Sequence, residues 1–228
     1  QAAWMGLDHQ ELLHYILSRA CERNGIEFHV KKSLAQQKSP LAVLFGGTSA
    51  ERQVSLMSGS NVWLKLKHSK KYDPIPFFMD LKGDVWHLPH AYALSHTVEE
   101  ISENCWNASQ KNKKISPFQK KIRSLLGVAA KQPDHPVRYT LKDFCAFIKE
   151  HNLFVFIGLH GGVGEDGTLQ KTFEDYDIIH NGSGPEGAAI SMDKHLTAQR
   201  ITQAKIPHVR ALEKVLIGQC VTKVVLGP

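Results

Sequence analysis

Residues 158–168, GLHGGVGEDGT, carry the chemistry-bearing types in highest density: five glycines, a histidine and two adjacent carboxylates. Gly162, Gly164 and Gly167 fit G-x-G-x-x-G, the spacing of a dinucleotide-binding turn, and the preceding LFVFIGLH reads as a buried strand. That reading meets a physical objection. Glu165 and Asp166 would face a pyrophosphate whose charge the helix N-terminus should attract, and like charges at short range are costly in a dry site. An acidic ribose partner about twenty residues on is also missing, since His180 and Asn181 stand there. The alternative makes the acids structural, with Asp166 capping the helix from Thr168 and Glu165 pairing with a nearby cation or loop N–H groups. Gly161 and Gly162 then bring backbone N–H groups to a small anionic substrate. His160 is either a satisfied core histidine or a group at the mouth of a cleft.

Two further loops have the same texture. GGTSAERQVS contains Thr48-x-x-Glu51, which reads either as a capping box or as a carboxylate facing a cleft, able to hold an ammonium group. In GSGPEGAAISMDK, Ser183 and Glu186 repeat the capping pattern, and Lys194 follows on the helix. A helix lysine is ordinarily solvated, so Lys194 gains meaning only beside a nucleotide.

The elements that must position these loops follow from periodicity. Asp8 and Glu11 form a capping box for a helix with Leu12, Leu13, Ile16, Leu17 and Ala20 on one stripe, closed at Asn24-Gly25. IEFHV then reads as a strand and KKSLAQQKSP as a linker. LAVLF predicts a buried strand, and residues 50–66 a helix with Val54, Met57 and Leu64 on its apolar side. PIPFFMD and VWHL form a hairpin about residues 81–84. Residues 89–140 read as an exposed insertion with some helix, interrupted by Pro89, Pro117, Pro133 and Pro136. Its cluster KNKKISPFQKKIR holds six Lys or Arg, read as a solvated face because no aromatic nucleic-acid reader accompanies it. LKDFCAFIKE gives a helix with Leu141, Phe144 and Ile148 inward, residues 153–160 a strand, 168–176 a helix, DIIHNG a second short strand, and 186–205 one helix ending before Pro207. Strands alternating with helices predict an α/β fold with a mainly parallel sheet and helices on both faces. Ligands belong at the carboxyl ends of such strands, which places loops 46–51, 158–168 and 181–187 along one edge.

Bulk properties set outer limits. The 228 residues, 42% hydrophobic, suffice for a real core, and a net charge of +6 favours anions without choosing among them. Cys21, Cys105, Cys145 and Cys220 form no C-x-x-C, so neither a zinc site nor a dense disulfide framework is indicated, and a reducing cytoplasm is the simplest setting. No apolar run has the length of a membrane span.

Taken in order, LFGGTSAERQVSLMSG, GLHGGVGEDGTLQ and GSGPEGAAISMDK resemble the amino-terminal half of D-alanine:D-alanine ligases of the ATP-grasp superfamily, over about residues 41–210. The resemblance implies a Rossmann-like pre-ATP-grasp domain over 41–188 carrying the 89–140 insertion, and the beginning of the ATP-grasp domain over 189–228. It implies a cytoplasmic enzyme of peptidoglycan precursor synthesis. ATP phosphorylates one D-alanine, and the amine of a second attacks the acyl phosphate. Glu51 would anchor the ammonium of the first D-alanine with help from Ser55, His160 with Gly161 and Gly162 would line the amino-acid site, and Lys194 would bind ATP phosphates. Mg2+ would be held by the remaining ATP-grasp domains rather than by this chain. The partners implied are D-alanine, ATP and those domains, with no nucleic acid and no membrane, and the family pattern allows a homodimer. Residues 1–40 read as an extension or linker, consistent with a fusion behind UDP-N-acetylmuramate:alanine ligase and hence a multifunctional enzyme. A non-catalytic amino-acid- or anion-binding module and a D-alanine:D-lactate variant are the competing readings.

Overall fold

The computed structural model describes residues 3–5, 7–27, 38–126 and 133–206. The expected strand IEFHV falls mostly outside them, as do most of the expected linker and the segment after Ile206. A five-stranded sheet of order β4-β3-β2-β1-β5 organises the rest. β1 (Ser39–Gly46) lies between β2 (Tyr72–Met79) and β5 (Phe154–Ile157), parallel to both. β3 (Val85–His87) and β4 (Val137–Tyr139) add on as antiparallel strands. The sheet is therefore mixed: β1, β2 and β5 run parallel as expected, and the hairpin at residues 81–84 reverses β3, where a helical crossover would have preserved the direction.

Alternation along β1 sorts the core into two layers, as a period-two strand buried on both faces must. Leu41, Val43 and Phe45 pack with α2 (Arg52–Lys67), α3 (His90–Ala93) and α4 (Val98–Trp106). Ala42 and Leu44 face the other layer, with α6 (Leu141–Glu150) and α7 (Thr168–Asp175). Helices thus cover both faces, and Phe144 and Ile148 point inward as their spacing predicts.

Two expectations about helix faces need correction. Val54, Met57 and Leu64 of α2 are exposed, while Ser55, Leu56, Gly59 and Trp63 are buried. The reason is a close approach: a Cβ on Gly59 would stand 2.4 Å from the Cβ of Phe45, so the face of α2 that carries Gly59, flanked by Leu56 and Trp63, is the one laid on β1, and Val54, Met57 and Leu64 are left to solvent. The 89–140 insertion is also not simply exposed. Ala91, Tyr92, Ala93, Val98, Ile101, Cys105 and Ala108 all join the core, through α3, α4 and the start of α5 (Ala108–Leu126). Its basic run does lie mainly on the outer side of α5, which continues through Pro117.

Asp80 builds the hairpin turn. Its buried carboxylate accepts from the N–H groups of Lys82 (2.8 Å) and Asp84 (3.1 Å) and from Trp86 Nε1 (3.0 Å). At the amino-terminal end, α1 (His9–Arg23) has the predicted Asp8–Glu11 capping box. The extension before it is docked: Trp4 packs on Tyr92 with ring centroids 4.8 Å apart, Gln119 Nε2 donates to Trp4 O at 3.0 Å, and Leu7 is buried. The expected strand DIIHNG reduces to a single bridge, Val155 to His180. Asn181 takes over with its side chain, which accepts the Ile157 N–H at 2.5 Å and donates to Ile157 O at 3.2 Å. The single helix expected over 186–205 divides into α8 (Pro185–Met192) and α9 (Lys194–Gln203), because Asp193 turns extended and caps α9 through the N–H groups of His195 and Leu196.

Candidate functional site

β1 and β5 are parallel neighbours, so their carboxyl ends deliver residues 46–51 and 158–168 to the same edge. One buried side chain fastens them. Ser55 Oγ accepts the Gly46 N–H at 2.9 Å and donates to Gly158 O at 2.7 Å. Ser55 is fully buried and its only proton is committed, so it holds the site together from beneath instead of facing a substrate as the sequence reading had it.

Above it the two loops touch. Ser49 Oγ donates to His160 O at 2.5 Å and accepts the Glu51 N–H at 3.1 Å. Glu51 is the N-cap of α2 and makes no side-chain capping bond, so the Thr48–Glu51 capping box does not form. The carboxylate is turned to the glycines: its Cδ lies 3.6 Å from the point a Cβ on Gly161 would occupy. Gly161 adopts φ +68°, a left-handed conformation that a side chain would disfavour, and any such side chain would crowd Ser49 and Glu51. Gly162 follows at φ +51° and is exposed.

His160 is not in the core: about a third of its side chain is exposed (35%). Nε2 is 2.8 Å from Ser58 Oγ, and Nδ1 is 3.8 Å from Glu165 Oε1. Asp166 accepts the Thr168 N–H at 2.9 Å, a local turn ahead of α7 and not the expected cap, since Gly167 is the N-cap of that helix and carries no side-chain capping bond. The remaining glycines of the G-x-G-x-x-G match serve packing: Gly164 lies against Leu159 and Gly167 against the Pro185 backbone. Gln170 Nε2 ties the loop down by donating to Gly164 O at 2.7 Å. Gly164, packed against Leu159, is the glycine a pyrophosphate would have to approach, which counts against the dinucleotide reading.

Glu51 and Gly161 therefore come together, with His160 and Gly162 on either side of Gly161 in the chain, which sets a carboxylate beside a glycine turn that follows an imidazole. Such a pairing suits a small zwitterion. Lys194 does not join them: it is exposed at the start of α9, and among the described residues it makes no hydrogen bond to that cluster. Sequence reading overlooked Ser49 and Ser58. Their signal was available, since Ser58 lies seven residues beyond Glu51, two turns along the same helix face, and Ser49 precedes Glu51 at the spacing of a serine turn.

Residues 40–183 match the family model of the D-ala D-ala ligase N-terminus. The chain belongs to this family. D-alanine--D-alanine ligase from Chlorobaculum tepidum is 29% identical over 160 residues, 70% of this chain and 39% of that protein. The same-named protein of Halothermothrix orenii is 30% identical over 174 residues, 76% of this chain and 41% of its own. The solved D-alanine-D-alanine ligase of Coxiella burnetii is 22% identical with a TM-score of 0.47, covering 76% of this chain and 43% of that one. The chain thus spans about two fifths of the length of the curated relatives it matches. Glu51, Ser55, His160, Gly161 and Gly162 fall inside the D-ala D-ala ligase N-terminus match, and Lys194 lies beyond it. The match begins at residue 40, so these relatives lend no support to a fusion upstream.

Proposed function

We propose that this chain is the amino-terminal part of a cytoplasmic, ATP-dependent ligase that joins two D-alanines through an acyl phosphate. The observation that carries the reading is the Glu51 carboxylate set against Gly161 within the family-matched segment. In this role Glu51 holds the ammonium of the first D-alanine by a charge-assisted hydrogen bond. The N–H groups of the Gly161–Gly162 turn and His160 receive its carboxylate, and Ser55 and Ser49 keep the two loops in register. The work of these residues is positioning and electrostatics; no covalent intermediate on the protein is needed.

ATP supplies the phosphoryl group, and Lys194, exposed at the head of α9, is the described residue available to its phosphates. The described residues gather no group of three or more His, Cys, Asp or Glu able to hold a metal ion, so no step is assigned to Mg2+ through this chain. No helix among the described residues is long and apolar enough to cross a membrane.

The test uses the full-length protein. ADP should form from ATP only when D-alanine is supplied, and Glu51→Gln should raise the D-alanine requirement, since a hydrogen bond to a charged group contributes about 1.5–3 kcal/mol. ADP formation indifferent to D-alanine rejects the ligase. D-alanine binding by calorimetry with no ADP formed identifies a binding module instead, and preference for D-lactate as second substrate identifies the ester-forming variant.

A further inference from the structure

α4 returns its first turn from the 89–140 insertion to the first turn of α2, the turn that begins at Glu51. Gln53 makes the join with both ends of one amide: Nε2 donates to His96 O at 2.9 Å, and Oε1 accepts the Val98 N–H at 3.1 Å. Arg52 adds an ion pair with Glu99, Nη2 to Oε1 at 3.1 Å, and Nη1 donates to Ser49 O at 3.4 Å. The α4 side of the join is stiff in itself. The Glu100 N–H donates to Thr97 Oγ1 at 3.1 Å, and the His96 N–H donates back to Glu100 Oε2 at 3.0 Å, a reciprocal cap.

Glu51 needs such support. The first turn of a helix has few intrahelical bonds and frays first. Glu51 makes no side-chain cap; its backbone is held by Ser49 Oγ on the N–H and by the Ser55 N–H on the carbonyl. Ser55 secures α2 on the sheet side, and the outer side is secured from α4. Of the two outer links, the Arg52–Glu99 pair is exposed at Glu99 and screened by solvent, so the paired bonds of Gln53 carry the restraint.

We infer that Gln53 is a positioning residue for Glu51, and that the insertion serves the amino-acid site by clamping the first turn of α2 through α4. The inference rests on Glu51 being the amino-acid anchor. It makes substrate affinity depend on residues 96–100, which belong to the insertion and not to either loop of the site.

The experiment compares Gln53→Ala and Gln53→Glu with wild type in the full-length protein. Alanine removes both bonds; glutamate keeps the acceptor for the Val98 N–H but loses the donor to His96 O. Exchange of the Ser55 amide, bonded to Glu51 O, should speed about tenfold in Gln53→Ala and less in Gln53→Glu, with the Val155 amide of β5 unchanged. The KM for D-alanine should rise in the same order by up to about tenfold, while the KM for ATP and kcat hold. Unchanged Ser55 exchange overturns the clamp. Faster exchange with an unchanged D-alanine KM overturns its positioning role, provided Glu51→Gln, run in parallel, does raise that KM. If Glu51→Gln leaves the KM untouched while Ser55 exchange responds to Gln53→Ala, the amino-acid role of Glu51 is what has failed, and the clamp stands as a structural join.

Discussion

Ser55 donates its hydroxyl proton to the carbonyl of Gly158 at 2.7 Å, and so pins helix α2 to the loop that leaves strand β5. The same oxygen accepts the Gly46 N–H, which closes the contact across both parallel strand ends. Ser55→Ala leaves a buried carbonyl and a buried N–H without partners, at a cost of about 1–3 kcal/mol. Urea unfolding should show a lower midpoint with an unchanged slope. An unaltered midpoint would mean that the strands hold the loops without it.

Ser58 and Glu165 call for opposite neutral tautomers of His160. The Ser58 hydroxyl donates to Val54 O at 2.9 Å and keeps a lone pair for Nε2 at 2.8 Å, whereas the Glu165 carboxylate, 3.8 Å from Nδ1, favours a proton there; the shorter contact is expected to prevail and give Nε2–H. Imidazole 15N shifts of the neutral ring should report the Nε2–H form in wild type and a mixture in Ser58→Ala. A wild-type ring protonated on Nδ1 would refute this assignment.

Most of the site could be read from residue types because backbone demands expose themselves in sequence. Gly161 is glycine at φ +68°, and Glu51 opens a helix from a turn of small residues. Ser55 was visible as important but not as buried, because a serine on a helix gives no sign of which neighbour takes its proton. The α2 face was misjudged for a related reason: hydrophobic spacing favoured Val54, Met57 and Leu64, whereas the close approach of Gly59 to Phe45 decided the matter through long-range packing. The break at Asp193 is a local signal, an acid immediately before a helical run, masked by an unbroken helical pattern on both sides. The insertion was obscured by its composition. Its buried residues are spread thinly among lysines and prolines, so the core it joins shows only in three dimensions.

Gly59 sets the distance between α2 and the sheet. A Cβ there would lie 2.4 Å from Phe45 Cβ, inside any real contact, and Phe45 is wholly buried. Gly59→Ala must push the helix outward, and overpacking of this kind costs about 1–3 kcal/mol, more than the gain in helix propensity returns. Thermal unfolding should fall accordingly, and D-alanine affinity should fall with it, because Glu51 rides on the displaced helix. A stable Gly59→Ala protein of ordinary melting temperature would show that α2 is free to slide.

His87 makes the fold sensitive to acid. It is buried on β3 beside Phe77, with ring centroids 5.0 Å apart, and its Nε2 has no hydrogen-bond partner. Burial lowers its pKa from 6.5 to about 4, so the folded state keeps the ring neutral where the unfolded chain would protonate it. The sign follows: the unfolded state binds more protons below pH 6.5, and stability is lost as pH falls from there toward 4. Between pH 7 and 4.5 that loss amounts to about 2 kcal/mol from this one residue. His90 also falls to about 4, first from burial and then from the nearby Lys67 ammonium, and adds to the effect in the same window. His87→Leu removes the proton site and the unpartnered nitrogen together while leaving His90 in place. Urea midpoints measured at the two pH values should therefore converge in His87→Leu relative to wild type; an equal acid loss in both proteins would place the sensitivity elsewhere.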